Sequence, residues 1–430
     1  MVASLLVITT GCGVKVVELT VDKDNYGSVM LDNGMQVLLN SDKTTSLTSA
    51  CILIGGGLLT ETAENNGVSN LMINMLLKGN DSLSAEEITE RLAFLGATVS
   101  PNCYRDYCTL EITSLTENFE EVLDIVSKCL ISPTFPEEEL EKVRQLTEGA
   151  IKAANDDQSQ ASSNLFWKTA YGNEGYGLPT LGTLETIATL SPGDLQAYHE
   201  KYVGGRNMIF SIATDMPLDD LAILIQKKMG GVRAEADQPP APSLTLQAQK
   251  DGFISFDRNQ SFVYMGAVMD HLEAKDLACL ALANETMGGG VGSRLWFLRQ
   301  NEKLAYTVYS HYLTRKYSTV FRAAIGTDTS KIKTALASLH RDWDAMVNDG
   351  FTEEELVDAR VNVKNSMIYK IDRKSGRCYN MAHYAYLGYG EKFVLDLINL
   401  VDQVTLEQVN AFVKTHCAED KVYTSIVGKR

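Results

Sequence analysis

The strongest constraint on this chain is that it states its pattern twice. Phe135-Pro136-Glu137-Glu138-Glu139-Leu140 opens a long helical pattern, and Phe351-Thr352-Glu353-Glu354-Glu355-Leu356 opens another 216 residues later. The flanking elements correspond as well. In the first half, Ser84-x-x-Glu87 is a capping box that opens a helix ending near Gly96. Alternating stretches follow at 98–100 and 107–114, and then Phe119, Val122, Leu123, Val126 and Leu130 recur at helical spacing. In the second half, a helix through 295–299 leads to alternating segments near 305–312 and 319–325. Ile332, Leu336, Leu339, Trp343 and Met346 then share one helix face. Each half closes with a helix before a strand, 195–203 then 208–213 and 406–415 then 422–427. Two tandem α+β units, each a mixed and mainly antiparallel sheet flanked by helices, account for this order.

Length agrees, since 430 residues suit two domains of about 200 residues each better than one core. The expected division is a leader over 1–24, a first domain over 25–229, a linker over 230–249 and a second domain over 250–430. The linker contains Pro239-Pro240-Ala241-Pro242, which makes it semi-rigid. At the start of the first domain, Leu31-Asp32-Asn33-Gly34 reads as a hairpin turn, with Asn-Gly supplying positive φ angles. Thirty-nine basic against fifty-five acidic side chains leave a formal charge of −16, a field that repels phosphate backbones and argues against a nucleic-acid partner. No run approaches the roughly 18 apolar residues of a membrane helix.

The first ten residues are apolar and stop at Gly11-Cys12, like the tail of a bacterial lipoprotein signal in which Cys12 would carry a lipid anchor. The positively charged n-region is missing, so a leader or a first strand is the alternative. Eight scattered cysteines without a C-x-x-C pair read mostly as buried thiols, which suits a reducing compartment. Localisation stays open between a membrane-anchored periplasmic lipoprotein and the cytoplasm. None of the six histidines has another at i, i+4, and His199 and His416 sit at helix ends, where surface histidines are common.

After the hairpin comes an apolar strand ending Ile54-Gly55-Gly56-Gly57, and then Gly67-Val68-Ser69-Asn70-Leu71-Met72-Ile73-Asn74-Met75-Leu76-Leu77-Lys78-Gly79. This run resembles the inverted-zinc-motif peptidases of the pitrilysin, insulinase and mitochondrial-processing-peptidase family, whose active members read G-x-x-H-x-x-E-H-M-x-x-K-G. The likeness extends from about Tyr26 to Val427. It implies that the first zinc-ligand histidine falls on Asn70, the general-base glutamate on Ile73 and the second histidine on Asn74. The family's third ligand falls on Glu148, which by itself reads as a solvated or salt-bridged helix residue. Asparagine is a poor zinc ligand and isoleucine takes no proton, so no cofactor is expected in this chain. In active members the strand after the motif helix accepts substrate as an added strand. Ser100-Pro101 stands near its start here, and proline has no N–H to donate.

The second half departs less. Gly288-Gly289-Gly290-Val291-Gly292-Ser293-Arg294-Leu295 leads into Leu298-Arg299, with Tyr306 seven residues after Arg299. The glycine run lacks the G-K-[ST] ending of a nucleotide loop. The resemblance implies that Arg299 and Tyr306 hold substrate and support the oxyanion in trans, chemistry that suits a guanidinium and a phenol. The bland alternative is an arginine pairing on its helix and a tyrosine packed at a strand start. The expectation is the non-zinc subunit of a heterodimeric metallopeptidase, inactive alone. Its partner would be a homologous subunit carrying H-x-x-E-H and the zinc, and its substrate a peptide or unfolded protein. A catalytically dead scaffold, like the core subunits of the respiratory cytochrome bc1 complex that resemble this family, is the second reading. A homodimeric peptide-binding module is the third.

Overall fold

Two long apolar runs, Leu47–Gly55 and Gln260–Asp270, form interior strands of two sheets. Beyond its first residue Leu47–Gly55 is buried throughout, and Gln260–Asp270 is buried between its two end residues. A strand covered on both faces reads as a continuous apolar run rather than an alternating one. The computed structural model describes residues 3–7, 17–22, 25–242 and 245–429.

The first sheet comprises β1 (Ala3–Val7), β2 (Val17–Val21), β3 (Tyr26–Met30), β4 (Gln36–Ser41), β5 (Leu47–Gly55), β6 (Thr98–Cys103), β7 (Tyr107–Leu115) and β8 (Met208–Thr214). Its strand order is β1-β2-β3-β4-β8-β5-β7-β6. The second sheet comprises β9 (Asp251–Ser255), β10 (Gln260–Asp270), β11 (Thr307–Thr314), β12 (Ser318–Asp328) and β13 (Val422–Gly428) in the order β11-β12-β10-β13-β9. The pairs are antiparallel except β4–β8 and β13–β9, so both sheets are mixed and mainly antiparallel, as the repeated pattern requires. β1 and β2 fall within the stretch read as a leader, pairing with each other and, through β2, with β3. Cys12 lies outside the described residues. Among those residues no helix is long and apolar enough to cross a membrane.

The hairpin between β3 and β4 forms, but through a different device. Gly34 has φ +81°, whereas Asn33 is not among the positive-φ residues. Asn33 works through its side chain instead. Its amide donates to the carbonyls of Met229 and Val232, both at 2.9 Å, and its oxygen accepts from Met35 N–H at 3.2 Å. The turn is thereby tied to the end of helix Leu218–Met229.

Packing changes over from one unit to the other within 230–249, at 240/241, but two further segments are exchanged between the halves. The first unit takes Met1–Gly149, Thr180–Pro240 and Lys370–Phe393, and the second takes Ala150–Pro179, Ala241–Tyr369 and Val394–Arg430. Each unit therefore carries a helix from the other half of the sequence. Lys374–Leu387 covers β5 and β8, and Gln158–Tyr171 covers β10 and β13. These two helices start 216 residues apart, the offset of the repeated signature.

The cause lies in the sheet faces. Cys51, Leu53, Tyr107 and Ala213 make an apolar surface on the first sheet that Cys378 and Ala382 seal. Polar ends hold the helix there. Ser211 Oγ donates to Cys378 O at 2.7 Å, and Lys374 Nζ donates to the carbonyls of Thr45 and Leu47 at 2.8 and 2.7 Å. In the second unit Ser162 and Ser425 hydroxyls meet at 3.1 Å. Gly252 lies so close to Thr169 and Leu165 that an added Cβ would collide with both.

Candidate functional site

The motif segment folds as helix Val68–Met75, entered through Gly67 at φ +99°. A side chain at Gly67 would be strained by its φ and would press on Ile187, Gly182 and Leu181. This helix start has no side-chain cap of its own. Its free N–H groups are met by Glu61, whose carboxylate accepts from Gly67 N–H at 2.8 Å, Ser69 N–H at 3.0 Å and Asn66 Nδ2 at 2.7 Å, and from the Ser69 hydroxyl. A carboxylate is well placed at a helix N-terminus. Burial nonetheless raises the Glu61 pKa, with the hydrogen bonds from Ser69, Gly67 and Asn66 acting against it. Nothing in the single sequence marked Glu61 for this role.

On the helix, Asn70 is buried, Ile73 is fully buried and Asn74 is half-buried. Asn74 Nδ2 donates to Asn70 O at 2.8 Å and to Asn70 Oδ1 at 3.3 Å, so the two amides bond each other. Glu148 is half-buried on helix Glu137–Asp156. Two neutral amides and one carboxylate do not make a zinc site, and Ile73 offers no base. Among the described residues no three His, Cys, Asp or Glu side chains are grouped so as to hold a metal ion.

β6 is the edge of the first sheet, and Pro101 sits opposite Leu110. Tyr104 N–H donates to Tyr107 O at 2.8 Å, which makes that facing pair a hydrogen-bonded one. Bonded and non-bonded pairs alternate along an antiparallel ladder, so Pro101–Leu110 and Cys103–Cys108 are non-bonded pairs. The backbone nitrogen of Pro101 therefore faces the free edge, where an incoming strand would need a donor.

Histidine 199 differs from expectation. It is buried, with Nε2 donating to Leu130 O at 2.9 Å while Nδ1 accepts from Arg233 at 3.1 Å. Burial lowers its pKa to about 4, and the Arg233 charge adds to the shift. It is a neutral structural histidine.

In the second unit the residues after the glycine run separate into two kinds. Arg294 is structural: its Nε and Nη2 donate to Glu355 at 2.7 and 2.8 Å, and Nη2 also donates to Gly350 O at 2.7 Å. Glu355, the last glutamate of the repeated signature, also completes a capping box with Thr352. Burial pushes its pKa up, but Arg294 and Thr352 outweigh that and the net shift is downward.

Arg299, on helix Trp296–Gln300, is exposed and lies 5.0 Å from the Trp296 ring centroid. Among the described residues no carboxylate pairs with it. Tyr306 is 45% exposed, and its N–H donates to Gly326 O at 3.1 Å. Its ring lies across Gly326, where a Cβ would stand 2.6 Å from Cζ. Burial of part of the ring and the Asp157 charge both raise its pKa, so the phenol keeps its proton at neutral pH and remains a donor. Gly326 is a supporting residue that the sequence pattern did not reveal, because a strand glycine signals close approach without naming the neighbour.

Comparison with known proteins bears on the family and the fold. A family model described as "Insulinase (Peptidase family M16)" matches residues 36–184, and one described as "Peptidase M16 inactive domain" matches 189–363. The chain is 26% identical over 394 residues to "Uncharacterized zinc protease YmxG" of Bacillus subtilis, covering 90% of this chain and 95% of that protein. It is 24% identical over 382 residues to "Non-peptidase homolog YmxG" of Helicobacter pylori, covering 87% of each. Among solved structures, a peptidase M16 inactive domain from Pseudomonas fluorescens superposes with a TM-score of 0.87 at 20% identity, covering 94% of this chain and 98% of that one. With both halves of the chain matched in order, by models covering 36–184 and 189–363, this chain belongs to the insulinase-type (M16) peptidase family.

Proposed function

We propose that this chain is the non-zinc subunit of a heterodimeric M16 metallopeptidase. A homologous subunit carrying H-x-x-E-H supplies zinc and base, and this chain supplies Arg299 and Tyr306 in trans. The observation that carries the reading is the contrast between the two units. The motif helix Val68–Met75 carries no ionisable side chain, with amides at Asn70 and Asn74 and a buried isoleucine at Ile73. Arg299 and Tyr306 meanwhile are exposed donors, and among the described residues no carboxylate pairs with Arg299. A guanidinium and a protonated phenol are suited to holding a peptide backbone and a developing oxyanion. Pro101 disfavours strand addition on this chain's own edge, consistent with substrate being held chiefly by the partner.

The test is purification of the tagged chain from its own cells, with zinc and peptidase activity measured on the same fraction. A stoichiometric partner of similar length bearing H-x-x-E-H, with zinc and activity present in the complex and absent from either chain alone, is the expected result. In that complex Arg299→Ala or Tyr306→Phe should lower turnover by on the order of 100-fold. The second reading, a peptidase-like scaffold, draws support from the Helicobacter pylori relative named a non-peptidase homolog. A zinc-free assembly, or an active complex indifferent to both substitutions, would favour it.

A further inference from the structure

The hairpin β6–β7 ends beneath the motif helix in two thiols. Cys103 and Cys108 face each other across the ladder, and the Cys108 thiol donates to Cys103 Sγ at 3.3 Å. Theirs is a non-bonded pair, the kind in which facing Cα atoms approach to about 4.5 Å with both side chains on one face. A disulfide spans Cα separations of about 4.4–6.8 Å, so this position accepts one without backbone movement. Closing the bond brings the sulfurs to about 2.05 Å, a change that side-chain rotation can supply.

Their exposures differ in a useful way. Cys103 is half-exposed, whereas Cys108, Cys51, Cys129, Cys279, Cys378 and Cys417 are buried. The hydrogen bond to the neighbouring Cys103 sulfur, and then burial, hold the Cys108 thiol in its protonated form. A reagent in solution therefore meets Cys103 first, and among the described thiols Cys108 is the one in contact behind it.

We propose that Cys103 and Cys108 are a reversible dithiol–disulfide site, with Cys103 the entry thiol and Cys108 the resolving thiol, serving a small-molecule disulfide such as oxidised glutathione. The Cys103 thiolate attacks one sulfur of the small disulfide, forming a mixed disulfide and releasing the other half as a thiolate. Cys108 then gives its proton to a released thiolate and attacks Cys103 Sγ, expelling the second half. Two protein thiols are oxidised to one cystine, and one small disulfide is reduced to two thiols.

The site is wired to the motif helix. The Cys108 sulfur lies 3.8 Å from Ser69 O, an alternative acceptor for its one proton, and the Ser69 hydroxyl lies 3.4 Å from Cys103 Sγ while donating to Glu61. Oxidation removes the Cys108 proton from this contact and ties the last residue of the edge strand to β7. This inference does not depend on the trans-acting reading above.

The purified full chain is equilibrated with oxidised and reduced glutathione at several ratios, quenched in acid and alkylated. Denatured chain is then cut with trypsin after Arg105, which lies between the two cysteines. The expected result is a linked peptide pair two hydrogens lighter than its separated halves, growing with the oxidised fraction and reversed by reduced glutathione. Cys108→Ser should instead trap glutathione on Cys103, and Cys103→Ser should leave Cys108 slow to alkylate in the folded chain. Accumulation of glutathionylated Cys103 in the unsubstituted chain without the linked pair would overturn the proposal. So would linkage of either residue to a different cysteine, or two free thiols at every ratio. Far-UV circular dichroism of both variants confirms that they are folded when these readings are taken.

Discussion

Gly326→Ala isolates the position of the Tyr306 phenol from its chemistry. A Cβ at 326 would stand 2.6 Å from Cζ, 2.8 Å from Oη and 2.9 Å from Cε2 of Tyr306. Non-bonded carbons require about 3.5 Å or more, so the ring must retreat by about 1 Å. The strand itself tolerates the change. Residue 326 lies within β12, paired with Phe262 on one side and Thr307 on the other, and alanine is less costly than glycine there by roughly 0.5 kcal/mol. The ring that gives way is 45% exposed, so stability should move by less than about 1 kcal/mol. A displacement of about 1 Å at a substrate-holding group costs on the order of 100-fold in rate, or about 2.7 kcal/mol of transition-state stabilisation. The assay is kcat/KM of the reconstituted complex on a quenched fluorogenic peptide, beside urea unfolding of the free chain. Gly326→Ala should match Tyr306→Phe, and the double variant should be little worse than either, because both remove one interaction. Full activity in Gly326→Ala alongside an impaired Tyr306→Phe would refute the claim that the glycine seats the ring. Additive losses would refute the claim that they act together.

Other consequences concern the chain alone. Ile73→Glu places a carboxyl at a fully buried position, so it should lower stability by about 3–4 kcal/mol at pH 7. The deficit should shrink toward pH 4.5 as the group takes a proton, and an equal deficit at both pH values in urea unfolding would refute the electrostatic account. His199, held near pKa 4 when folded against about 6.5 when free, binds its proton more tightly in the unfolded chain. Its contribution is therefore complete above pH 6.5 and falls by about 1.4 kcal/mol per unit between pH 6.5 and 4. His199→Gln should flatten that part of the stability–pH curve, and an unchanged slope would contradict it. Asn33→Ala strips three buried hydrogen bonds and should cost about 2–3 kcal/mol by urea unfolding, whereas a loss under 0.5 kcal/mol would show that water replaces the amide.

Local chemistry was legible in the sequence because its causes are local. The Ser84–Glu87 capping box forms as written, and Phe119, Val122, Leu123, Val126 and Leu130 are all buried on one helix. The repeated signature reported a repeated unit, and its glutamates open helices in both copies. The degenerate motif was readable residue by residue, since Asn70, Ile73 and Asn74 lack the chemistry wherever they lie. What escaped was the identity of neighbours distant along the chain. The apolar face of Lys374–Leu387 shows that it must be covered, but says nothing of which sheet covers it. Asn33 looked like a positive-φ turn residue, yet its partners are Met229 and Val232, about two hundred positions away. His199 looked like a surface residue because its helix-end position was visible and the packing over it was not. Cys103 and Cys108 became a pair once the ladder register was known.

The helix exchange makes the two halves of this chain obligate co-folders. Severing it within 230–249 would yield neither of two free-standing domains. The N-terminal fragment would lack Lys374–Leu387 and leave Cys51, Leu53, Tyr107 and Ala213 open to water, and the C-terminal fragment would lack the cover that Gln158–Tyr171 gives β10 and β13. Each fragment would hold the other's missing piece, a reciprocal complementation in which two incomplete chains regain stability by meeting. A tethered chain holds those pieces together at high effective concentration. Its ribosomal synthesis therefore cannot cover the first sheet until residue 387 has emerged, some 170 residues after the last residue of β8.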